Sequence, residues 1–136
     1  MSIQTETKKG VKVLPAASAL IALSNHTGRG ARWDSTANAL VACSVDETVE
    51  FIIDDVDTAN NTVSAIPFTS DSDFRVRLHT TLTGALVVGG YVKIEDSGNG
   101  VFDLGGGSGD VNVARVEEAA AAGGYALVRK VATVTS

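Results

Sequence analysis

The second half of the chain is a series of short hydrophobic runs separated by glycine-rich corners. Tyr91–Glu95 and Val101–Leu104 have the two-residue period of a β-strand, which places Val92 with Ile94 on one face of the first run and Phe102 with Leu104 on one face of the second. Val111–Val116 and Tyr125–Val131 continue this series of strand-like runs further along. Glycine and asparagine dominate the connections, and both accept the positive φ angles of tight turns. This spacing predicts a β-sandwich or β-barrel, with residues 84–134 as one contiguous antiparallel unit.

The first half contains further strand-like runs and no long amphipathic helix. The predicted strands are Ala39–Cys43, Val49–Ile53, Thr62–Pro67 and Phe74–His79. Val49, Phe51 and Ile53 share one face of their strand by period, and residues 54–61 read as a hairpin loop. In the last of these strands Phe74, Val76 and Leu78 face inward, whereas Arg75, Arg77 and His79 face outward. Helix-forming residues at 117–122 end after about one turn at the following glycines.

These patterns predict an all-β protein, a small antiparallel barrel or sandwich with an N-terminal arm. A chain of 136 residues is long enough for one domain with one core. Residues 1–32 carry five basic side chains and one acidic one, a balance of +4, while residues 33–136 carry −9 of the total of −5. We therefore expect residues 1–32 to form an arm and loop and residues 33–136 to form the β domain. The alternative is that the start of the chain is an ordinary first strand.

An arm of this kind would bind a partner with its basic and apolar residues. The candidate partner-binding residues are Lys8, Lys9, Lys12, Leu14, Leu20, Ile21, Leu23, Arg29, Arg32 and Trp33. Trp33 has a second interpretation as a core residue. The apolar run from Val13 to Leu23 has 11 residues, too few to cross a membrane, and Glu6 within the basic region argues against a signal peptide. Five basic residues spread over residues 1–32, with no aromatic residue among them, do not favour nucleic acid.

The residues that could carry chemistry lack the patterns that chemistry requires. The acidic run Asp54–Asp57 has neither the glycine nor the closing glutamate of an EF-hand loop. No lysine followed by serine or threonine comes after Gly105–Gly109, so this stretch is not a phosphate loop. His26 and His79 have no metal-ligand spacing, and Cys43 reads as a small buried hydrophobic residue. We predict no enzymatic activity, no metal and no cofactor.

The second half also resembles a known family. Its pattern is Gly90–Ile94, a glycine turn at Gly98–Val101, the strand Val111–Ala114, the loop Glu117–Gly123 and the strand Tyr125–Arg129. This series, roughly 50 of 136 residues, resembles small β-rich capsid decoration (cement) proteins of tailed bacteriophages. The resemblance implies a structural protein made in the host cytoplasm that binds the major capsid protein on the outside of the virion. It also implies self-association, with a trimer favoured, and no nucleic-acid or membrane partner.

Two other function classes compete with this interpretation. One is a ligand- or carbohydrate-binding β module of a phage tail or fibre. Its weakness is that aromatic residues make up only 5% of the chain, whereas sugar platforms use exposed tryptophan and tyrosine. The other is a small β-rich hydrolase, which would need a clustered acid–base pair that the sequence does not display. If the arm interpretation is right, deleting residues 1–24 should leave a folded β domain.

Overall fold

Ten strands and one short helix make up the regular structure of the residues that the computed structural model describes, 10–95 and 99–135. The strands are β1 (Lys12–Pro15), β2 (Gly30–Asp34), β3 (Ala39–Ala42), β4 (Phe51–Asp57), β5 (Thr62–Pro67), β6 (Asp73–Arg77), β7 (Tyr91–Ile94), β8 (Phe102–Leu104), β9 (Val111–Glu118) and β10 (Tyr125–Thr135). The helix α1 (Ser18–Ile21) is a single turn between β1 and β2. Over the described ranges, no helix has the length and hydrophobicity needed to cross a membrane.

The strands form two five-stranded sheets that pack against each other. The first sheet has the order β1-β5-β4-β2-β3 and the second has the order β6-β10-β9-β7-β8. Every pair of neighbouring strands is antiparallel. The chain completes the first sheet before it begins the second. The predicted all-β class is therefore confirmed.

Each sheet curls until its outer strands approach one another. In the first sheet Ala16, just after β1, bridges Leu40 of β3, and the N–H of Ala17 donates to the Leu40 carbonyl at 2.9 Å. In the second sheet Leu78, just after β6, bridges Phe102 of β8, and the N–H of His79 donates to the Phe102 carbonyl at 2.9 Å. These contacts tie opposite edges together, which is why the fold combines features of a sandwich and of a barrel.

Two hydrophobic cores lie on opposite faces of the first sheet. The first core contains Leu20 of α1 together with Ile53 of β4 and Val63 of β5. The second core contains Ile52 of β4 and many residues of the second sheet, among them Phe102. Neighbouring residues of a strand point to opposite faces, so Ile52 and Ile53 serve different cores. The first sheet is consequently buried on both sides around this position.

The structure corrects the expectation that residues 1–32 form an arm outside the domain. Lys12 to Pro15 pair in register with β5, from Lys12 opposite Ala65 to Pro15 opposite Thr62. Leu20 is 1% exposed and belongs to the first core. The apolar residues that would serve an arm instead complete the domain's own core, so the alternative of an ordinary first strand holds for the described residues from 12 onward.

One strand is not predicted from the sequence, and two predicted elements differ in their bounds. The strand β2 was missed because Arg32 and Asp34 hide its short pattern. β4 continues through the predicted hairpin loop as far as Asp57, with a bulge between Ile53 and Asp55. The predicted helical turn at 117–122 overlaps the end of β9, because pairing with β10 overrides the local helix propensity.

The face predicted for residues 49, 51 and 53 is also wrong at its first position. Val49 packs in the second core, whereas Phe51 and Ile53 pack in the first. Val49 precedes the start of β4, so the two-residue period does not extend to it. By contrast, Val92 and Ile94 are both buried on one face of β7, as predicted.

The predicted antiparallel unit at 84–134 corresponds to the second sheet. β7 to β10 all lie in this sheet, and no helix interrupts the described residues of the span. β6 joins the unit by pairing with β10, so the sheet begins earlier in the chain than predicted. The alternation read in β6 is confirmed, with Phe74, Val76 and Leu78 buried and Arg75 exposed.

Candidate functional site

The loop before β2 lies at the junction between the two sheets. The N–H of Gly28 donates to the Ile53 carbonyl of the first sheet at 2.8 Å. The Gly28 carbonyl accepts from the N–H of Arg77 in the second sheet at 2.9 Å. Gly28 has a φ of +87°, and a Cβ there would lie 2.8 Å from the Arg77 nitrogen. Glycine is required here because the chain is left-handed and closely approached by the other sheet.

A pocket of about 260 Å³ opens at this junction. Polar and charged side chains from three separate stretches of the chain line much of it. They are Asn25, Arg29, Arg77, His79, Thr80 and Asn99. The pocket therefore depends on the packing of the two sheets and not on any single sequence motif.

Arg29 is fixed in the wall of this pocket by three backbone carbonyls. Its Nε donates to the Asn25 carbonyl at 3.1 Å, and its Nη2 donates to the Ser24 carbonyl at 2.9 Å. Its Nη1 donates to the Asn99 carbonyl at 2.7 Å, across 70 positions of the chain. Burial lowers the pKa of the Arg29 guanidinium, and the positive charge of Arg77 lowers it further. Arg29 remains charged, but in a position that disfavours its charge.

Arg77 is held beside Arg29 by a second set of neutral partners. Its Nε donates to the Thr27 carbonyl at 3.1 Å, and its Nη2 donates to the hydroxyl of Tyr125. The guanidinium carbon lies 4.6 Å from the centre of the Tyr125 ring, which is a cation–π contact. These contacts orient the guanidinium in a partly buried position. Both arginines thus line the pocket, and no carboxylate of the described residues is hydrogen-bonded to either guanidinium.

His79 contributes an imidazole side chain to the pocket lining. Its Nε2 lies 3.3 Å from Oε1 of Glu95, a carboxylate whose side chain is only 15% exposed. Its Nδ1 lies 2.7 Å from the carbonyl of Thr81. The interpretation of His79 as a plain surface residue is therefore incomplete, because its ring connects the end of β6 to the residue that follows β7.

The predicted partner-binding residues fall into separate groups. Leu20 is buried, and Leu14, Ile21, Leu23 and Trp33 pack partly buried against the same first core. Sequence reasoning assigned these five to a partner, but the structure brings them together inside the domain. The core interpretation of Trp33 is the one that the structure supports.

The charged members of the predicted set have different positions. Lys12 is exposed on β1, and Arg29 lines the pocket. Arg32 forms an ion pair through Nε with Oε2 of Glu47 at 2.9 Å, and the interaction with the Glu47 carboxylate raises the pKa of Arg32. Lys8 and Lys9 lie outside the described residues. Binding of a partner by these charged residues stays a prediction.

The pocket residues that sequence reasoning missed are Arg77, His79, Asn25 and Asn99. The alternation of β6 did place Arg77 and His79 on the outer face, which was the available signal. Their meeting with Arg29 could not be read from the sequence, because it depends on how the loop before β2 crosses between the sheets. Asn25 has a φ of +55°, consistent with a tight loop at this point.

Two candidate chemistries are clarified by the geometry. Cys43 is fully buried, its Sγ lies 3.6 Å from the Thr48 carbonyl, and burial raises the pKa of its thiol to about 12. It is thus an unreactive core residue. Within the described part of the chain, no three histidine, cysteine or acidic side chains gather in a way that could hold a metal ion. That the protein uses no metal or cofactor stays a prediction.

Comparisons with known proteins assign no family to this chain. No protein-family model matches the sequence, and a search of curated proteins finds no significant match. Function must therefore be argued from the residues and their arrangement.

Proposed function

We propose that this chain is a structural virion protein that binds the outer surface of a tailed-phage capsid and stabilises the shell. The observation that supports this proposal is the arrangement of the motifs that resemble decoration proteins. Gly90–Ile94, Val111–Ala114 and Tyr125–Arg129 fall on β7, β9 and β10, which are adjacent strands of one sheet. The sequence pattern behind the resemblance thus corresponds to a continuous piece of the fold.

A protein of this kind stabilises the capsid because it binds the assembled shell more tightly than it binds the free capsid subunits. A ligand that binds an assembled shell better than free subunits stabilises the assembled state, by an amount set by its affinity and concentration. The tied edges of both sheets supply a rigid body for this purpose. In this proposal the partners are the major capsid protein and further copies of the chain, with a trimer favoured, on the virion exterior.

The outer strand β1 is the surface we propose for attachment to the capsid. Lys12 and Val13 are exposed on this strand, Val13 to 68%. Lys8 and Lys9 lie four and three positions before Lys12 in the sequence. An exposed valine next to Lys12, in a segment of the sequence that is rich in lysine, offers apolar contact together with charge that fixes orientation. The segment contrasts with the rest of the chain, because residues 33–136 carry a net charge of −9.

The experiment compares shells with and without the purified chain. Phage heads lacking this chain are mixed with it, sedimented, and then heated while rupture is followed by light scattering. We expect saturable co-sedimentation and a higher rupture temperature for decorated heads. Heads that bind no chain even when it is in excess, or that rupture at an unchanged temperature, would contradict the proposal.

A matched pair of variants tests the surface. Val13→Asp places a charge on β1, whereas Val88→Asp places one at a valine exposed to 69% in the loop before β7. We expect the first to reduce co-sedimentation and the second to leave it unchanged. The opposite result would place attachment on the loop before β7 and would refute the β1 surface.

The second candidate function is a ligand- or carbohydrate-binding module of a phage tail or fibre. The pocket at the junction of the sheets favours it, because polar side chains from several segments converge there. Arg77, which lines the pocket, however, stacks on the ring of Tyr125, so that ring face is occupied. A glycan array that shows specific binding, together with no binding to heads, would favour this alternative.

A further inference from the structure

We propose that the pocket between Arg29 and Arg77 is a binding site for a small oxyanion of the phosphate type. This inference is independent of the capsid proposal, because it concerns the junction between the sheets and not β1. It rests on the charge of the pocket, on the donors left unused there and on the way in which they are held.

The positive charge of the two arginines in the pocket favours binding of an anion. Arg29 and Arg77 line the same pocket, and the positive charge of Arg77 adds to burial in lowering the pKa of Arg29. All the hydrogen-bond partners of both guanidiniums within residues 10–95 and 99–135 are neutral, either backbone carbonyls or the Tyr125 hydroxyl. A bound dianion would relieve this repulsion directly, since like charges in a partly buried place are stabilised by an opposite charge.

The two guanidiniums still have donors available for such a ligand. A guanidinium carries five N–H groups. Arg29 uses three of them in the contacts described above, which leaves one on each terminal nitrogen. Arg77 uses Nε and one N–H of Nη2, so three of its N–H groups have no partner among the described residues. Two forked donors that line one pocket match the several acceptor oxygens of a phosphate or sulfate.

The donors are also held in place before any ligand arrives. Arg29 is fixed by three carbonyls, and Arg77 is fixed by one carbonyl and by the Tyr125 ring and hydroxyl. Ordering a free arginine side chain normally opposes binding, and here the fold has already ordered both. Asn25, Thr80 and Asn99 supply further polar groups around the opening.

The volume of the pocket favours a small ligand, and the position of Glu95 beside His79 indicates which side chains would bind it. A volume of about 260 Å³ lies at the lower end for ligand pockets, which suits a small anion or a single phosphate-bearing group. Glu95 is the acidic side chain in contact with the lining, and its carboxylate already faces His79 at 3.3 Å. The two guanidiniums, and not the imidazole that faces this carboxylate, are therefore the expected donors to the anion.

A purely structural role for the two arginines is the rival explanation. In that role they only join loops, by donating to carbonyls of Ser24, Thr27 and Asn99. Replacing either arginine would then lower stability, and phosphate would bind no more tightly to the native chain than to a variant. The two explanations therefore differ in the effect of phosphate and not in the effect of mutation alone.

The experiment titrates the full chain with inorganic phosphate at constant ionic strength, with sodium chloride as reference and sodium acetate as the carboxylate arm. Backbone amide shifts are followed by NMR, and the thermal midpoint is measured in parallel. We expect saturable shifts centred on Asn25, Arg29, Arg77 and Asn99 and a midpoint that rises with phosphate concentration. Acetate should act more weakly, because it carries one charge; equal or stronger binding of acetate would overturn the phosphate class.

The variants are Arg29→Gln and Arg77→Gln, with Arg75→Gln as the matched control. Arg75 is an exposed arginine on the same strand as Arg77. We expect phosphate affinity to fall about tenfold or more in the first two and to stay unchanged in the control. Equal affinity in all three variants would mean diffuse surface binding and would overturn the proposal.

The titration of the wild-type chain tests the site even if the glutamine variants fail to fold. Circular dichroism establishes whether each variant retains the β-sheet spectrum. If the glutamine variants are unfolded, the wild-type titration decides alone. Shifts scattered over the surface, or no saturation, would then overturn the site, whereas shifts confined to the pocket would support it. Co-sedimentation with heads is measured separately, so failure of one proposal is distinguishable from failure of the other.

Discussion

At the scale of single residues, one triangle of backbone hydrogen bonds joins three separate parts of the chain. Gly30 donates to the Gly100 carbonyl at 2.7 Å, Gly100 donates to that of Cys43 at 3.0 Å, and Cys43 donates to that of Gly30 at 3.0 Å. A Cβ at Gly100, where φ is +74°, would overlap the carbonyl oxygen of Gly30. Only glycine fits this position, because any side chain would separate the segments.

Cys43, the third member of this triangle, makes stability depend on pH. Burial in the folded state raises the pKa of its thiol from the usual 9.0 to about 12. Below pH 9 the thiol is neutral in both the folded and the unfolded state, so its full contribution to stability is present. Above this pH the unfolded chain ionises while the folded chain does not, and stability falls as pH rises toward 12.

We expect this loss to reach about 1.4 kcal/mol for each pH unit above the unfolded pKa, on top of other titrating groups. Urea unfolding of wild type and Cys43→Ala over this range measures the difference in slope. The variant should lose stability less steeply, although it begins lower because of the cavity it creates. In the native state the thiol should also resist alkylating reagents. Parallel slopes for the two proteins, or rapid alkylation, would contradict the buried position.

At the scale of elements, β1 and α1 change the interpretation of the N-terminal region. β1 carries the exposed pattern of an outer strand, with Lys12 on the strand and Pro15 at its end. Charged residues and proline are typical of sheet edges, where they discourage pairing with another chain. α1 follows and places Leu20 over the first core. Deleting residues 1–24 is now expected to unfold the domain, contrary to the sequence-based expectation.

A single substitution tests the role of α1 more sharply than the deletion. Leu20→Ala should lower the free energy of unfolding by about 2–5 kcal/mol, because it removes a fully buried side chain from the first core. The control is Val13→Ala on β1, where the exposed valine should contribute no more than about 0.5 kcal/mol. Chemical denaturation measures both. If Leu20→Ala were neutral, the helix would not cover the core in solution, and the arm interpretation would return.

At the scale of the whole molecule, the first sheet joins the two cores into one unit. Ile52 and Ile53 are neighbours in β4, yet each packs in a different core. Loss of β4 pairing would expose both cores at the same time. The backbone bonds around Gly28 add a second connection, because they link the first sheet to β6. We therefore expect the domain to unfold cooperatively and not sheet by sheet.

Calorimetry of two conservative variants tests this cooperativity. Ile52→Val and Ile53→Val should each cost about 0.5–1.5 kcal/mol. Because both cores unfold together, each variant should lower the midpoint of the same single transition by a few degrees. The ratio of calorimetric to van't Hoff enthalpy should stay near unity. Two transitions, each sensitive to one variant only, would show that the sheets unfold independently.

Most local elements of this fold follow from the order of residues along the chain. The two-residue period identified most strands, and glycine and asparagine identified the turns, because both signals arise from backbone geometry within a few residues. The sequence did not predict β2 or the part of β4 that follows Ile53. Charged residues in short strands resemble loop residues until the strands with which they pair are known. The residues of α1 are recognisably apolar in the sequence. The sequence alone does not show whether they pack against the core of this chain or against a partner.

Which distant segments meet is a property of the packed molecule alone. Arg29 reaches Asn99 across 70 positions, and Arg77 reaches Tyr125 across 48. Such contacts follow from strand order and from the crossing of a glycine loop between sheets, which local propensity does not encode. The strand periods thus follow from steric rules along the chain, whereas the pocket follows from packing, because burial is gained only when both sheets come together.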